Sequence, residues 1–554
     1  MQFLRCHTRG CRCVFLPLFV LVFAAAWGPL AVACSSILVT RGASADGSVM
    51  ITYACDAPGV YGALAIQPAA DHKPGEMIEV GRLTEKDASP RGKIPQVAHT
   101  YRVLGLMNEH QLAVSESTFE GRPEAENPQG MLGYGELMSL MLQRARTARE
   151  AIRVFTGLVS QYGYGDVGES ISIADTREAW ILEIVGSGRG GKGGVWVAVR
   201  IPDGQIACHA NQSRIGEFPR SDPENCLYSE NVESFAVSKG WYDPKAGRPF
   251  RFFEAYSPAT PVKRRVCDTR VWSVLRRAAP SLRLSPDYHR GRPGAQPYPL
   301  SVVPDKKLSP GDVFALLRDH YEGTDFDMTK GVDAGPFGSP YRWRPLTWKL
   351  DGVQYAWERP FSTQQTGFSF VTQSRAWLPN PIGGLAWYGV DDTYTTCYLP
   401  LYCGMDALPK ALSTGSLNKF SWDSAWWVFN VVSNYSHTKY SQMVPEVQAA
   451  QKNIESELLA LQPAVEKTAL ELAKTDAKLM TSYLTDYSVS HVEQTTARWR
   501  TLAEYLFTKY RDGYVYNGKS EWKEVGYPEA WLRRVVHERP EQFRLPAEKP
   551  SEKK

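Results

Sequence analysis

The hydrophobic period of this chain changes twice. Between Gly133 and Tyr162 the apolar residues Leu137, Met138, Met141, Leu142, Ala145, Ala148, Ile152, Phe155 and Leu158 recur at three and four, the spacing of one helical face. On both sides they alternate instead, in short β-branched runs separated by turn residues. Such runs lie upstream at 35–40, 48–53, 64–67, 97–104 and 111–114, and downstream at 168–175, 179–184, 195–201, 205–210, 368–377 and 385–389. Their connections read as hairpin turns, not as the crossover helices of βαβ units. Short helical stretches are expected again near 268–279 and 310–319. The order of sheet, helices and sheet predicts an α+β fold with helices packed on antiparallel sheets.

The 554 residues are 43% hydrophobic, 22% charged and 12% aromatic, a globular composition that excludes a disordered or collagen-like polymer. Net charge is +4, and Arg5, Arg9 and Arg12 supply three of those positives, so the rest gives no electrostatic support for a nucleic-acid partner. From Ser424 the aromatic segment Trp426-Trp427-Val428-Phe429 leads into a stretch at 447–510 rich in Ala, Leu, Glu, Gln and Lys, which predicts a helical hairpin or bundle on the main body. Pro463 breaks its apolar pattern, which argues against a coiled coil. The expected organisation is a signal at 1–33, a main body at 34–425, a helical region at 426–538 and a disordered tail at 539–554.

Residues 1–33 have a basic start, an apolar run at 14–27 and the small-x-small triplet Ala31-Val32-Ala33. The run is short of the ~20 residues a membrane-spanning helix needs, so a secreted or periplasmic chain without a transmembrane helix is expected. Cleavage would fall before Cys34. Of the ten cysteines, Cys55, Cys208, Cys226, Cys267, Cys397 and Cys403 then remain besides Cys34, an even number that allows three disulfides without selecting a pairing. No metal or other cofactor is expected, because C-x-x-C pairs are missing and the histidines are scattered.

A cysteine at a new N-terminus carries a thiol and a free α-amine on one residue. An amine with a reference pKa of ~7.7 to 8.0 is a general base near neutrality, whereas a peptide nitrogen is not. A thiol near pKa ~8.5 is only a few per cent thiolate at pH 7, so a neighbouring proton acceptor makes it a competent nucleophile. The same amine can later protonate the leaving nitrogen of an amide. A lipid anchor on Cys34 would acylate that amine, so anchoring and catalysis there exclude each other.

The opening Cys34-Ser-Ser-Ile-Leu-Val-Thr-Arg-Gly-Ala-Ser-Ala-Asp-Gly-Ser48 resembles that of the cysteine dipeptidases of the dipeptidase A family, in the N-terminal nucleophile hydrolase superfamily. The resemblance continues in order through Gly105-Leu-Met-Asn-Glu109, Glu116-Ser-Thr-Phe119, Gly168-Glu-Ser170, Ala210-Asn-Gln-Ser-Arg-Ile215, the segment from Arg359 to Phe370 and that from Gly383 to Asp392. It implies an αββα sandwich of two antiparallel sheets with a C-terminal helical extension, and a hydrolase that cuts dipeptides through a thioester on Cys34. By the same resemblance Asp56 orients the nucleophile's amine, Asn108 helps bind the oxyanion, Asn211 lies near the nucleophile and Arg270 lies near the thiol. Many similar sequences carry an Arg-Asn pair after the second strand. Here Tyr53-Ala54 stands in that place, and the arginine's charge is missing.

A dipeptide has two charged ends, for which Glu109, Glu116 and Arg214 are candidates by position. Two alternatives to an exported dipeptidase stand beside it. One is an amidase of the choloylglycine hydrolase or penicillin acylase type, and the other is a lipid-anchored surface binding protein without catalysis. A homo-oligomer is compatible with the sequence.

Overall fold

A computed structural model describes residues 34–57, 59–81, 90–518 and 521–545. The expected signal at 1–33 and the end of the expected tail, 546–554, lie outside the described residues. The elements that frame the site begin with β1 (Ser36–Val39), β2 (Met50–Asp56), β3 (Ile66–Gln67), β4 (Val103–Leu104), β5 (Met107–Asn108) and β6 (Ala113–Phe119). Helices α1 (Tyr134–Arg144) and α2 (Ala148–Tyr162) follow, then β7 (Gly168–Ala174), β8 (Ala179–Val185), β9 (Val195–Arg200), β10 (Ile206–His209) and β11 (Cys226–Tyr228). After α3 (Thr269–Ala278), β12 (Ser301–Val302) and α4 (Pro310–Leu317) come β13 (Thr366–Gln373), β14 (Leu385–Val390) and β15 (Leu399–Tyr402). The chain goes on through α5 (Ala425–Ser436), α6 (Tyr440–Thr475), α7 (Ala477–Lys509) and α8 (Glu529–Glu538).

Two antiparallel sheets result, of seven strands in the order β12-β10-β1-β2-β13-β14-β15 and of eight in the order β11-β9-β8-β7-β6-β5-β4-β3. The alternation read in the sequence sorts side chains into separate layers. Ile37 and Val39 of β1 belong to one core cluster with Val271 and Leu275 of α3, whereas Leu38 belongs to another with Ile51, Ala113, Ile181 and Ala207, drawn from both sheets. A third cluster joins Val114, Ile171, Ile173 and Leu182 to Leu137, Met141, Ile152 and Phe155 of α1 and α2. Between the sheets the layer turns polar. Ser36 Oγ lies 2.8 Å from Ser115 Oγ and 2.9 Å from Ser172 Oγ, and His209 is held between Ser117 (2.6 Å) and Ser172 (2.7 Å).

The helical stretch at 133–162 is two helices. Thr147 breaks and restarts it as the N-cap of α2, its side chain accepting from Glu150 N–H, and Gly163 ends it with φ 79°. The C-terminal region is the helical hairpin expected, turned at Asp476, whose carboxylate accepts from Lys478 and Leu479 N–H. α6 runs unbroken through Pro445 and Pro463. Leu458, Val465 and Ala469 are buried on both sides of Pro463, and this packing outweighs the one backbone bond a proline removes. Arg318 pairs with Glu455 at 2.5 Å and Arg375 with Glu466, tying α6 to the sheet-bearing body. Within the expected tail, Pro540–Phe543 forms a single helical turn, for which Pro540 at the first position supplies a preset φ. No helix among the described residues is long and apolar enough to cross a membrane.

Candidate active site

The main-chain pairing of Ser35 with Ala54 extends the β1–β2 ladder and fixes Cys34 at the end of a central strand. Cys34 is fully buried, with its sulfur 3.4 Å from the Tyr53 hydroxyl. Burial is the largest influence on its thiol, followed by Cys55, Glu116 and Asp56, and all of them push its pKa up. These influences favour the protonated thiol.

Arg270, in the first turn of α3, is also fully buried and wraps the main chain of Cys34. One guanidinium nitrogen donates to Cys34 O (3.0 Å) and Ser35 Oγ (2.6 Å), and the other to Ala210 O (3.2 Å) and Asn211 Oδ1 (3.0 Å). Asn211 has φ 58°, a left-handed conformation that asparagine tolerates better than most residues. This turn after β10 lets its side chain accept from Arg270 and from Arg359 (3.1 Å) while its amide donates to Thr118 O (2.7 Å).

Asp56 closes β2 and is 1% exposed. One carboxylate oxygen accepts from Arg359 at 2.6 Å, the other from Thr366 Oγ at 2.7 Å. Burial pushes the Asp56 pKa up to about 6 against the pull of Arg359 and Thr366, and pushes that of Arg359 down to about 9. Both shifts leave the pair ionised at neutral pH. Opposite it, Glu116 accepts a hydrogen bond from the Tyr53 hydroxyl, and Glu169 on β7 accepts from Thr118 Oγ at 3.0 Å. Burial, and then the neighbouring Glu116, push the Glu169 pKa well above the usual carboxylate range.

Cys34, Asp56, Glu116, Asn211 and Arg270 thus come together from five segments of the sequence. The others lie elsewhere. Asn108 turns its amide to Leu142 O and Ala145 O (both 2.8 Å) and accepts from His110 and Leu112 N–H, which occupies the side chain at the end of α1. Glu109 accepts from Arg102 N–H in the β4–β5 hairpin, and Arg214 donates to Tyr298 O and Pro299 O beside Asp268. Arg359 and Glu169 were in segments carrying the resemblance without a role, and their pairing with Asp56 and Glu116 has no sequence signal across such separations. The seven described cysteines are all free and buried, so none of the three allowed disulfides is formed among the described residues. Among the described residues no group of three or more His, Cys, Asp or Glu could hold a metal ion.

The sequence matches peptidase family C69 over residues 33–453, most of the chain and all of this cluster. The chain belongs to that family. Family C69 membership makes it a peptidase, and the match begins one residue before Cys34. It is similar to a probable dipeptidase of Salmonella dublin, 27% identical over 395 residues that cover 68% of this chain and 82% of the relative. A probable dipeptidase of Latilactobacillus sakei is 27% identical over 64% of the chain and 71% of its own length. A probable dipeptidase B of Streptococcus pyogenes serotype M1 is 22% identical over 85% and 92%.

Proposed function

We propose that this family C69 peptidase is an exported dipeptidase in which Cys34, freed as the N-terminal residue, is the nucleophile and its own α-amine the base. The observation that carries this is the enclosure of Cys34 itself: Arg270 holds its carbonyl, the Asp56–Arg359 pair ends the neighbouring strand, and the influences on the thiol favour the protonated form. An amine on the same residue meets the need for a proton acceptor. The names of the relatives support dipeptides as substrates, and the three core layers around two facing sheets support the αββα sandwich of the N-terminal nucleophile hydrolases.

The amine takes the thiol proton as sulfur attacks the peptide carbonyl, then gives it to the leaving amino group as the tetrahedral adduct collapses to a thioester. Water, deprotonated by the amine, hydrolyses that thioester. Asp56 and Arg359 hold a fixed dipole at the strand end, and Arg270 with Asn211 fixes the Cys34 main chain, which limits the geometries open to the reacting atoms.

Intact mass and N-terminal sequencing of the exported protein test this directly. The chain should begin with unmodified Cys34 and hydrolyse dipeptides, and Cys34→Ala should abolish turnover. Acylation of Cys34, or residues remaining in front of it in the active form, would overturn the mechanism and favour the anchored binding protein.

A further inference from the structure

By the resemblance described above Tyr53 stands in the place of an arginine, and its hydroxyl faces the Cys34 sulfur. The ring is fixed edge-on against Phe368 and Phe370, with centroids 5.5 and 5.8 Å away. The hydroxyl meets Cys34 Sγ at 3.4 Å on one side and donates to Glu116 on the other. Beside Glu116, on the paired strand β7, lies Glu169, two residues from the register partner Ile171 and so on the same face of the sheet. Glu116 Oε2 and Glu169 Oε1 are buried with no other side-chain or backbone donor on them. Two carboxyl groups so enclosed cannot both be ionised, and one shared proton satisfies both orphaned oxygens.

We propose that Tyr53 is a catalytic residue that stabilises the Cys34 thiolate by donating a hydrogen bond to it, with Glu116 and Glu169 as positioning residues that make this donor available. It rests on the assignment of Cys34 as nucleophile. At rest the phenol hydrogen points to Glu116, and the phenol oxygen faces the thiol. When the thiol proton passes to the base, sulfur becomes the stronger acceptor, and the phenol hydrogen turns from Glu116 to sulfur without leaving its oxygen. Glu116 keeps the proton it shares with Glu169 and is not left a bare buried charge. No proton is gained or lost by the Tyr53–Glu116–Glu169 chain, and Tyr53 replaces a guanidinium's charge with a neutral donor.

The exported protein with Tyr53→Phe, Tyr53→Arg and Cys34→Ala tests this, with dipeptide hydrolysis and the pH dependence of Cys34 alkylation by iodoacetamide as readouts. Tyr53→Phe keeps the ring packing, so it should lower kcat by about 10²-fold with KM little changed, the size seen when one transition-state donor is removed. It should also move the alkylation midpoint to higher pH, and Tyr53→Arg should move it to lower pH. A structural role would leave the midpoint unmoved, and a substrate-binding role would appear in KM. Either result, with Cys34→Ala inactive, overturns the role of Tyr53 alone. An active Cys34→Ala overturns the nucleophile assignment instead. If Tyr53→Phe is unfolded by circular dichroism, the Tyr53→Arg midpoint decides, and no downward shift overturns the proposal.

Discussion

A carboxylate and a guanidinium buried side by side at Asp56 and Arg359 hold each other in the charged state, and removing either charge strands the other in a medium of low polarity. This gives the pH dependence a recognisable form. If the Cys34 amine must be neutral, hydrolysis falls with one proton below its ordinary range of ~7.7 to 8.0. Below about 6 Asp56 takes up a proton as well, so kcat/KM should fall with a two-proton slope there. In Asp56→Asn the second slope should vanish, at a reduced rate, and a pH–rate profile of both proteins checks it. Cys34, Asp56, Glu116, Asn211 and Arg270 were legible because each is a chemically marked residue at a strand end, a turn or a resembling motif. Asn108 looked equally marked, yet its amide serves the carbonyls that end α1. A short motif shows which polar groups are available, and only the packed chain shows which are already occupied.

At the scale of elements, most strands and helices lay within a few residues of their periodic runs, because a half-buried strand or an amphipathic helix must repeat its apolar face. Boundaries set by capping and packing were less visible, as Thr147 shows. Register was invisible. The antiparallel pairing Ser35–Ala54 places Cys34 opposite Cys55 at a non-hydrogen-bonded position, where Cα atoms stand ~4.5 Å apart, within the span of a disulfide. Incubation with oxidised glutathione should convert this pair to a disulfide, releasing two molecules of reduced glutathione, and stop turnover until a dithiol is added. Cys55→Ser should form no such intramolecular bond, and peptide mapping under non-reducing conditions distinguishes the two proteins.

The whole molecule carries a buried titrating group between its two sheets. Burial first, and then Arg214, push the His209 pKa down to about 3 from an ordinary value of 6.5, so the folded protein keeps this ring neutral between its two serines. The unfolded chain takes up the proton near 6.5. Stability from this site is therefore fully present above about 6.5 and is lost as pH falls from there toward 3, on the order of a few kcal/mol in all. Thermal melts across that window should show a decline that His209→Gln reduces, once its lower starting stability is taken as its own reference. The order of layers could be anticipated from the alternation of periods, but the polar seam between the sheets could not, since serines on a strand look the same whether they face water or each other.

The core cluster that contains Cys34 also contains Trp499, Leu506 and Tyr510. These residues of α7 and its end lie more than four hundred positions after Cys34, and α7 joins the cluster through β15, α5 and α6. Contacts of such long sequence separation form late, because closing a loop of that size carries a large entropic cost before any contact repays it. Completion of that core is thus timed by the carboxyl end of the chain: the strands that carry Cys34 can pair early, but the cluster they share with α7 closes only when that long helix docks.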